Sequence, residues 1–207
     1  MYNDLKLHST TDEGYIKYQC HWTKISTVTA EDILELNQWR DRLYRLGLIG
    51  QYDNGIGFGN LSICLNNSQD MIISGTQTGG IAQLKAEHYT KVTDFDWQKN
   101  YVSCEGLIKA SSETLTHAAI YVAQPKIKAV IHVHNAGLWQ KLLDKVPTTD
   151  PNCAYGTPEM AEELIKLCQQ PKTTNAKIVV MSGHEEGIIT LGKNLEEAGN
   201  VLLSYFS

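Results

Sequence analysis

Two histidines one residue apart, His132 and His134, lie in the apolar stretch Ala129-Val130-Ile131-His132-Val133-His134. In a strand, residues i and i+2 point to the same face, so both imidazoles would project together, about 7 Å apart along the backbone. Such a pair can converge on one ion. Imidazole suits zinc and other borderline divalent metals, and a catalytic zinc site takes three protein ligands and leaves a position open. An alternating pair also arises in strands that bind nothing, so the reading needs a third ligand. The candidates are His8, His21, His88, His117 and His184. His184 follows the apolar segment 177–181 through Ser182-Gly183, a strand end beside a glycine, and ligands are often presented from such places. Glu185 and Glu186 adjoin it and could add a carboxylate. His117, four residues before Tyr121 on a predicted helix, reads as a packing or supporting residue.

A second kind of chemistry is written in three segments rich in glycine, small hydroxyls and amides: Gly59-Asn60-Leu61-Ser62, Ser74-Gly75-Thr76-Gln77-Thr78-Gly79-Gly80, and Ser111-Ser112. Glycine lets a backbone approach an anion closely, and hydroxyls and backbone N–H groups donate to phosphate oxygens. The two serines would open a helix, where unpaired N–H groups and the dipole favour negative charge. None of the three is a nucleotide-binding fingerprint, and each alone is also an ordinary turn or cap. Glu113 follows the serines. A carboxylate in a first helical turn commonly compensates the dipole, but it becomes a candidate acid/base if the anion pocket and the metal site face each other.

These groups need a scaffold, and the patterning supplies one. Residues 15–22 predict an early strand. Thr29, with Glu31 and Asp32, marks a helix start; Ile33, Leu36, Leu43 and Leu46 carry its apolar face, and Gly47 ends it. Residues 61–65 and 71–74 read as strands joined by the turn Asn66-Asn67-Ser68-Gln69, and 89–95 and 101–104 as further strands. Ser111 and Ser112 open a helix with Leu115, Ala118, Ala119 and Val122 on one face, and Pro125 stops it. A buried strand at 129–133, helices at 137–143 and 157–169, strands at 177–181 and 187–191, and a last helix capped by Asn194 complete the chain. Helices and strands interleave throughout, which is the α/β pattern. Short turns between several strands imply a mixed sheet.

With 42% apolar and 20% charged residues, the 207-residue chain has enough material for one self-sufficient core. A formal charge of −5 argues against a nucleic-acid partner, which would require a basic face. The five cysteines (Cys20, Cys64, Cys104, Cys153 and Cys168) are odd in number and form no C-x-x-C, so they read as reduced thiols in a cytoplasmic protein. No secretory signal is visible at Met1-Tyr2-Asn3-Asp4. No apolar run approaches the roughly 20 residues that span a bilayer, so no membrane partner is expected.

Taken in order, Gly-Asn-Leu-Ser at 59–62, Thr78-Gly79, Ser111-Ser112-Glu113 with His117, the His132/His134 strand, Tyr155-Gly156-Thr157, and Gly183-His184 up to Leu195-Glu196-Glu197-Ala198 make a recognisable series. The chain resembles the class II aldolase/adducin family from about residue 30 onward, with residues 1–28 as an N-terminal extension and 29–207 as the domain. The resemblance implies a three-layer α/β/α sandwich around a central mixed, largely antiparallel sheet, and a homotetramer with sites between subunits. It implies a divalent metal, zinc above others, on His132, His134 and His184. It further implies Glu113 as acid/base and a substrate phosphate among Asn60, Thr78, Gly79, Ser111 and Ser112. The implied activity is retro-aldol cleavage of a small phosphorylated ketose. Epimerisation or dehydration of a sugar phosphate, and a non-catalytic assembly domain of the adducin kind, are the alternatives. Three features depart from the family pattern. The stretch between His134 and Tyr155 is short and lacks the usual inter-subunit tyrosine, for which Tyr155 or Tyr205 could substitute. The His-Gly of the third ligand is spread into Gly183-His184-Glu185-Glu186-Gly187. The leader before residue 29 is additional.

Overall fold

A computed structural model describes residues 14–65 and 70–206. The turn expected at Asn66-Asn67-Ser68-Gln69, most of the polar leader and His8 lie outside the described residues. Among the described residues, ten strands and six α-helices follow in the order β1 (Gln19–Thr23), α1 (Leu34–Arg45), β2 (Gly50–Gln51), β3 (Gly57–Phe58), β4 (Asn60–Cys64), β5 (Met71–Ser74), β6 (Tyr89–Asp96), β7 (Tyr101–Gly106), α2 (Thr114–Ala123), β8 (Ala129–His134), α3 (Ala136–Leu142), α4 (Pro158–Cys168), α5 (Pro171–Ala176), β9 (Ile178–Val180), β10 (Gly187–Gly192) and α6 (Leu195–Phe206). Eight strands form one sheet in the order β1-β7-β6-β5-β4-β8-β10-β9, and β2 and β3 form a separate two-stranded ribbon. Every pairing in the large sheet is antiparallel except β1 with β7.

Both faces of this sheet are covered, which makes three layers. On β8 the alternation separates them. Val130 joins an apolar cluster with Leu115 and Ala118 of α2 and Met160 and Leu164 of α4. Ala129, Ile131 and Val133 join the opposite cluster with Leu36 and Leu43 of α1 and Leu195, Ala198 and Leu202 of α6. Each fully buried leucine or isoleucine here contributes about 1.5–3 kcal/mol relative to exposure. Period two therefore aims His132 and His134, in phase with Val130, at the α2/α4 side. The expected sandwich and its mixed, largely antiparallel sheet are the observed fold.

Local departures have local causes. Thr29 and Asp32 do exchange bonds: the Thr29 amide and hydroxyl donate to Asp32 Oδ2 at 2.8 and 2.7 Å, and the Asp32 amide donates to Thr29 Oγ1 at 3.3 Å. They close a turn, and regular helix begins only at Leu34. Likewise α2 begins at Thr114, with Ser111, Ser112 and Glu113 as its lead-in. At α6 the Asn194 side chain accepts from the Glu197 amide at 2.8 Å, as its capping role required. None of the five cysteines, all described, is in a disulfide. Among the described residues no helix is long and apolar enough to cross a membrane.

Candidate active site

His132 and His134 leave β8 on one face, and the turn after β9 returns His184 to them. The three imidazoles are 1%, 3% and 4% exposed, so the cluster is closed to bulk water. Each offers a nitrogen within 4.8 Å of the others. His132 Nε2 and His134 Nε2 lie 3.0 Å apart. A tetrahedral ion with Zn–N bonds of about 2.05 Å would hold two such nitrogens roughly 3.3 Å apart, so small rotations suffice to seat one. The donor set and its spacing fit a divalent metal. Opposite His134 in the ladder stands Gly187. A Cβ there would meet the His184 carbonyl oxygen at 2.9 Å and His132 Cε1 and His184 Cγ at 3.2 Å each, so it would crowd both rings and force a shift of the turn.

The other histidine candidates are elsewhere. His21 stacks on Tyr101 at the sheet edge, and His88 Nδ1 accepts from the Lys85 amide. His117 is fully buried beneath the site, 2.7 Å from Ser62 Oγ, which also meets the Tyr121 hydroxyl. Burial pushes the His117 pKa down to about 3, so it is a neutral supporting residue at physiological pH. His132 is also held well below the ordinary histidine range, by burial first and then by the neighbouring His184 and His117. At neutral pH its ring therefore has a lone pair to offer.

The glycine- and hydroxyl-rich segments also meet. A small pocket is lined by Asn60, Thr78, Gly79, Ser111, Ser112 and Glu113, the residues selected from sequence. Asn60 pairs with His132 across β4 and β8, which sets the pocket beside the imidazoles. Two of the loops are zipped together: Gly75 bridges Ala110, and the Thr76 amide donates to the Lys109 carbonyl at 3.0 Å. A Cβ on Gly79 would fall 2.2 Å from the Gly50 carbonyl oxygen, so the loop needs glycine at that point. Ser111 Oγ accepts from the Glu113 amide at 3.2 Å, which leaves its proton to donate. Thr78 differs from expectation, because its hydroxyl donates to the Gly75 carbonyl at 2.8 Å; its backbone is what it can present as a donor. Glu113, 2% exposed, stands at the junction: it lines the pocket, and its Oε1 is 3.9 Å from His184 Nδ1.

Further residues surround the site, of which Tyr52 and Arg40 were not singled out from sequence. Tyr52 contacts His134 and Glu186. Arg40, 1% exposed, donates to the carbonyls of Thr78, Gly79 and Ala82 from beneath the 78–82 loop. Gln77 accepts from the Gly57 amide and donates to the Gly14 carbonyl, both at 3.0 Å. Tyr155 stacks on His184 with centroids 4.7 Å apart, and the Lys17 ammonium lies 3.8 Å over the tyrosine ring. Tyr205, the other tyrosine weighed, packs against the α1/α6 cluster instead. Asn54-Gly55 is a recognised hairpin signal and could have revealed the ribbon that carries Tyr52. No local pattern marks Arg40; Glu186, named from sequence as a carboxylate beside His184, accepts from the Tyr52 hydroxyl.

A three-layer α/β sandwich with a closed three-histidine cluster beside a glycine- and hydroxyl-lined pocket is the framework of an enzyme-like site. Residues 42–205 match the family of the class II aldolase and adducin N-terminal domain, and the chain belongs to that family. The chain is 25% identical over 167 residues to the 3-oxo-tetronate 4-phosphate decarboxylase of Haemophilus influenzae, covering 70% of this chain and 71% of that protein. Among solved structures it is similar in fold to an L-fuculose 1-phosphate aldolase, with TM-score 0.64, 22% identity, and 85% and 82% of the two chains covered. A sugar-phosphate aldolase from Thermotoga maritima superposes with TM-score 0.62 at 18% identity, covering 84% of this chain and 90% of the other.

Proposed function

We propose that this chain is a zinc-dependent lyase that breaks a carbon–carbon bond in a small phosphorylated ketose by retro-aldol chemistry. The observation that carries the reading is the position of Glu113, a buried carboxylate shared by the anion pocket and the three-histidine cluster. His132, His134 and His184 would hold the ion; when bound, it supplies a Lewis acid for the substrate carbonyl and the adjacent hydroxyl. Asn60, Ser111, Ser112 and the Gly79 backbone would bind the phosphate. That remote contact orients the reacting carbons over the cluster. Glu113 moves the proton at the carbon that gains electron density as the bond breaks, and the closed surroundings of the imidazoles exclude competing water.

One observation favours a second reading. The curated relative is named as a decarboxylase, and loss of carbon dioxide from a 3-oxo acid phosphate would leave the same electron-rich carbon for Glu113 to protonate. The two readings share a site and differ in the departing group. Protein purified without chelator should carry about one zinc per chain and release dihydroxyacetone phosphate from one of a panel of ketose 1-phosphates. Carbon dioxide from a 3-oxo acid phosphate, with no cleavage of the ketoses, would replace the first reading with the second. Isomerised ketose without cleavage would instead move the assignment to an epimerase. Glu113→Gln should keep the metal and lose roughly 10²- to 10⁴-fold in turnover; unchanged turnover would remove Glu113 from its role.

A further inference from the structure

We infer that Tyr52 and Glu186 are a positioning pair that fixes the tautomer of His134 and turns its Nε2 lone pair toward the metal. This inference rests on the metal reading above. The Tyr52 hydroxyl donates to Glu186 Oε2 at 2.8 Å and lies 2.8 Å from His134 Nδ1. A phenol has one proton. With that proton on the carboxylate side, the hydroxyl oxygen accepts from the imidazole, so His134 Nδ1 carries the hydrogen. A neutral imidazole protonated at Nδ1 has its lone pair at Nε2. This is the nitrogen that faces His132 Nε2 at 3.0 Å, inside the cluster. The ring plane is held as well: Phe58 packs against His134 with centroids 5.5 Å apart and against Tyr52 at 4.5 Å.

The two partners come from the β2/β3 ribbon and from the turn that follows His184. Tyr52 sits in the β2/β3 ribbon, whose tight turn is closed by the Gly55 amide donating to the Tyr52 carbonyl. Glu186 lies in the turn between His184 and β10, the place where the family's His-Gly is spread over extra residues. Its φ of 67° is in the left-handed region, which is uncommon for a glutamate. The turn is held by the Gly187 amide donating to the His184 carbonyl at 2.9 Å and by the Asn135 amide donating to the Glu186 carbonyl at 3.0 Å. The second of these bonds anchors the turn to the residue after His134. The wider turn thus supplies a carboxylate that acts on His134 through the tyrosine. A partner behind a ligating histidine sets the ring's orientation and raises its basicity as a ligand.

The test compares wild type, Tyr52→Phe and Glu186→Gln. Long-range ¹H–¹⁵N spectra of the metal-free, histidine-labelled proteins read the tautomer, and competition with a chromogenic chelator reads zinc affinity. Wild type should show His134 protonated at Nδ1. Tyr52→Phe should lose that single tautomer and bind zinc roughly 10- to 100-fold more weakly. Glu186→Gln retains an amide oxygen that accepts the phenol proton, and should keep both the tautomer and most of the affinity. Both positions are only partly buried, and thermal melts of the metal-free variants report any general loss of folding. Wild-type His134 protonated at Nε2, or a folded Tyr52→Phe that binds zinc as tightly as wild type, would overturn the inference. Wild type that takes up no zinc would overturn the metal reading itself, and is told apart because the unsubstituted protein then fails.

Discussion

Arg40→Met should destabilise the protein by about 2–4 kcal/mol and weaken its hold on inorganic phosphate. The guanidinium is buried and bonded to three backbone carbonyls: Ala82 at 2.9 Å, Gly79 at 2.8 Å and Thr78 at 3.2 Å. Hydrogen bonds from a charged group contribute roughly 1.5–3 kcal/mol each. Stacking over Tyr44, with the guanidinium carbon 4.5 Å from the ring, adds about 1 kcal/mol. Burial of the charge opposes these gains and holds the Arg40 pKa below its ordinary value; the net figure allows for that cost and for the apolar stem that methionine retains. The phosphate effect follows from peptide geometry. In a trans peptide the C=O and the next N–H point in opposite directions. Drawing the Thr78 and Gly79 carbonyls to Arg40 therefore turns the Gly79 and Gly80 amides away from it. Without the guanidinium the loop loses that bias, and a tenfold loss of phosphate affinity, about 1.4 kcal/mol, is expected. Urea unfolding with and without phosphate separates the two effects, and titration calorimetry gives the affinity directly. A variant with an unchanged urea midpoint and unchanged phosphate affinity would refute this account of Arg40.

Other consequences can be checked on the same material. The metal-free protein should lose stability as pH falls from 7 to 5. The folded pKa of His117 is about 3, against about 6.5 when unfolded. The unfolded chain therefore binds more protons in that window, and stability that is complete above pH 6.5 falls by about 2 kcal/mol at pH 5 from this residue alone. His132 shifts in the same direction and adds to the loss; a urea midpoint that stays constant from pH 7 to 5 would contradict the sign. Gly187→Ala should leave secondary structure intact by circular dichroism and lower zinc affinity at least tenfold, because its Cβ would press on both His132 and His184. Gly79→Ala should abolish detectable phosphate binding in calorimetry, since the added methyl meets backbone at Gly50 and Phe58 that has no rotamer to yield.

The parts of the site that were legible in sequence are those fixed by local periodicity. Alternation along 129–134 predicted a shared face for His132 and His134, and the ladder places Val130 and Ile131 in opposite cores accordingly. Glycines and small hydroxyls picked out the loops that line the pocket, because backbone chemistry, not long-range packing, selects them. The supporting residues were not legible. Arg40 looks like a solvent-facing charge on an amphipathic helix until the 78–82 loop folds over it. Tyr52 and Glu186 are 134 positions apart, and nothing local marks either as a partner of His134. The ribbon β2/β3 was overlooked because two-residue strands show no alternation, although Asn54-Gly55 announced its turn. The six residues of α5 are too few for a helical period and are signalled only by Pro171 at the start.

The segment ahead of α1 is built into the domain. Its Gly14 carbonyl is gripped by Gln77 in the pocket wall, and β1 completes the sheet beyond β7. A shortened protein begun at residue 29 would bare the whole hydrogen-bonding margin of β7. Unprotected margins of this kind recruit further strands, so such a truncation would be prone to polymerise edge to edge as well as to open one wall of the pocket.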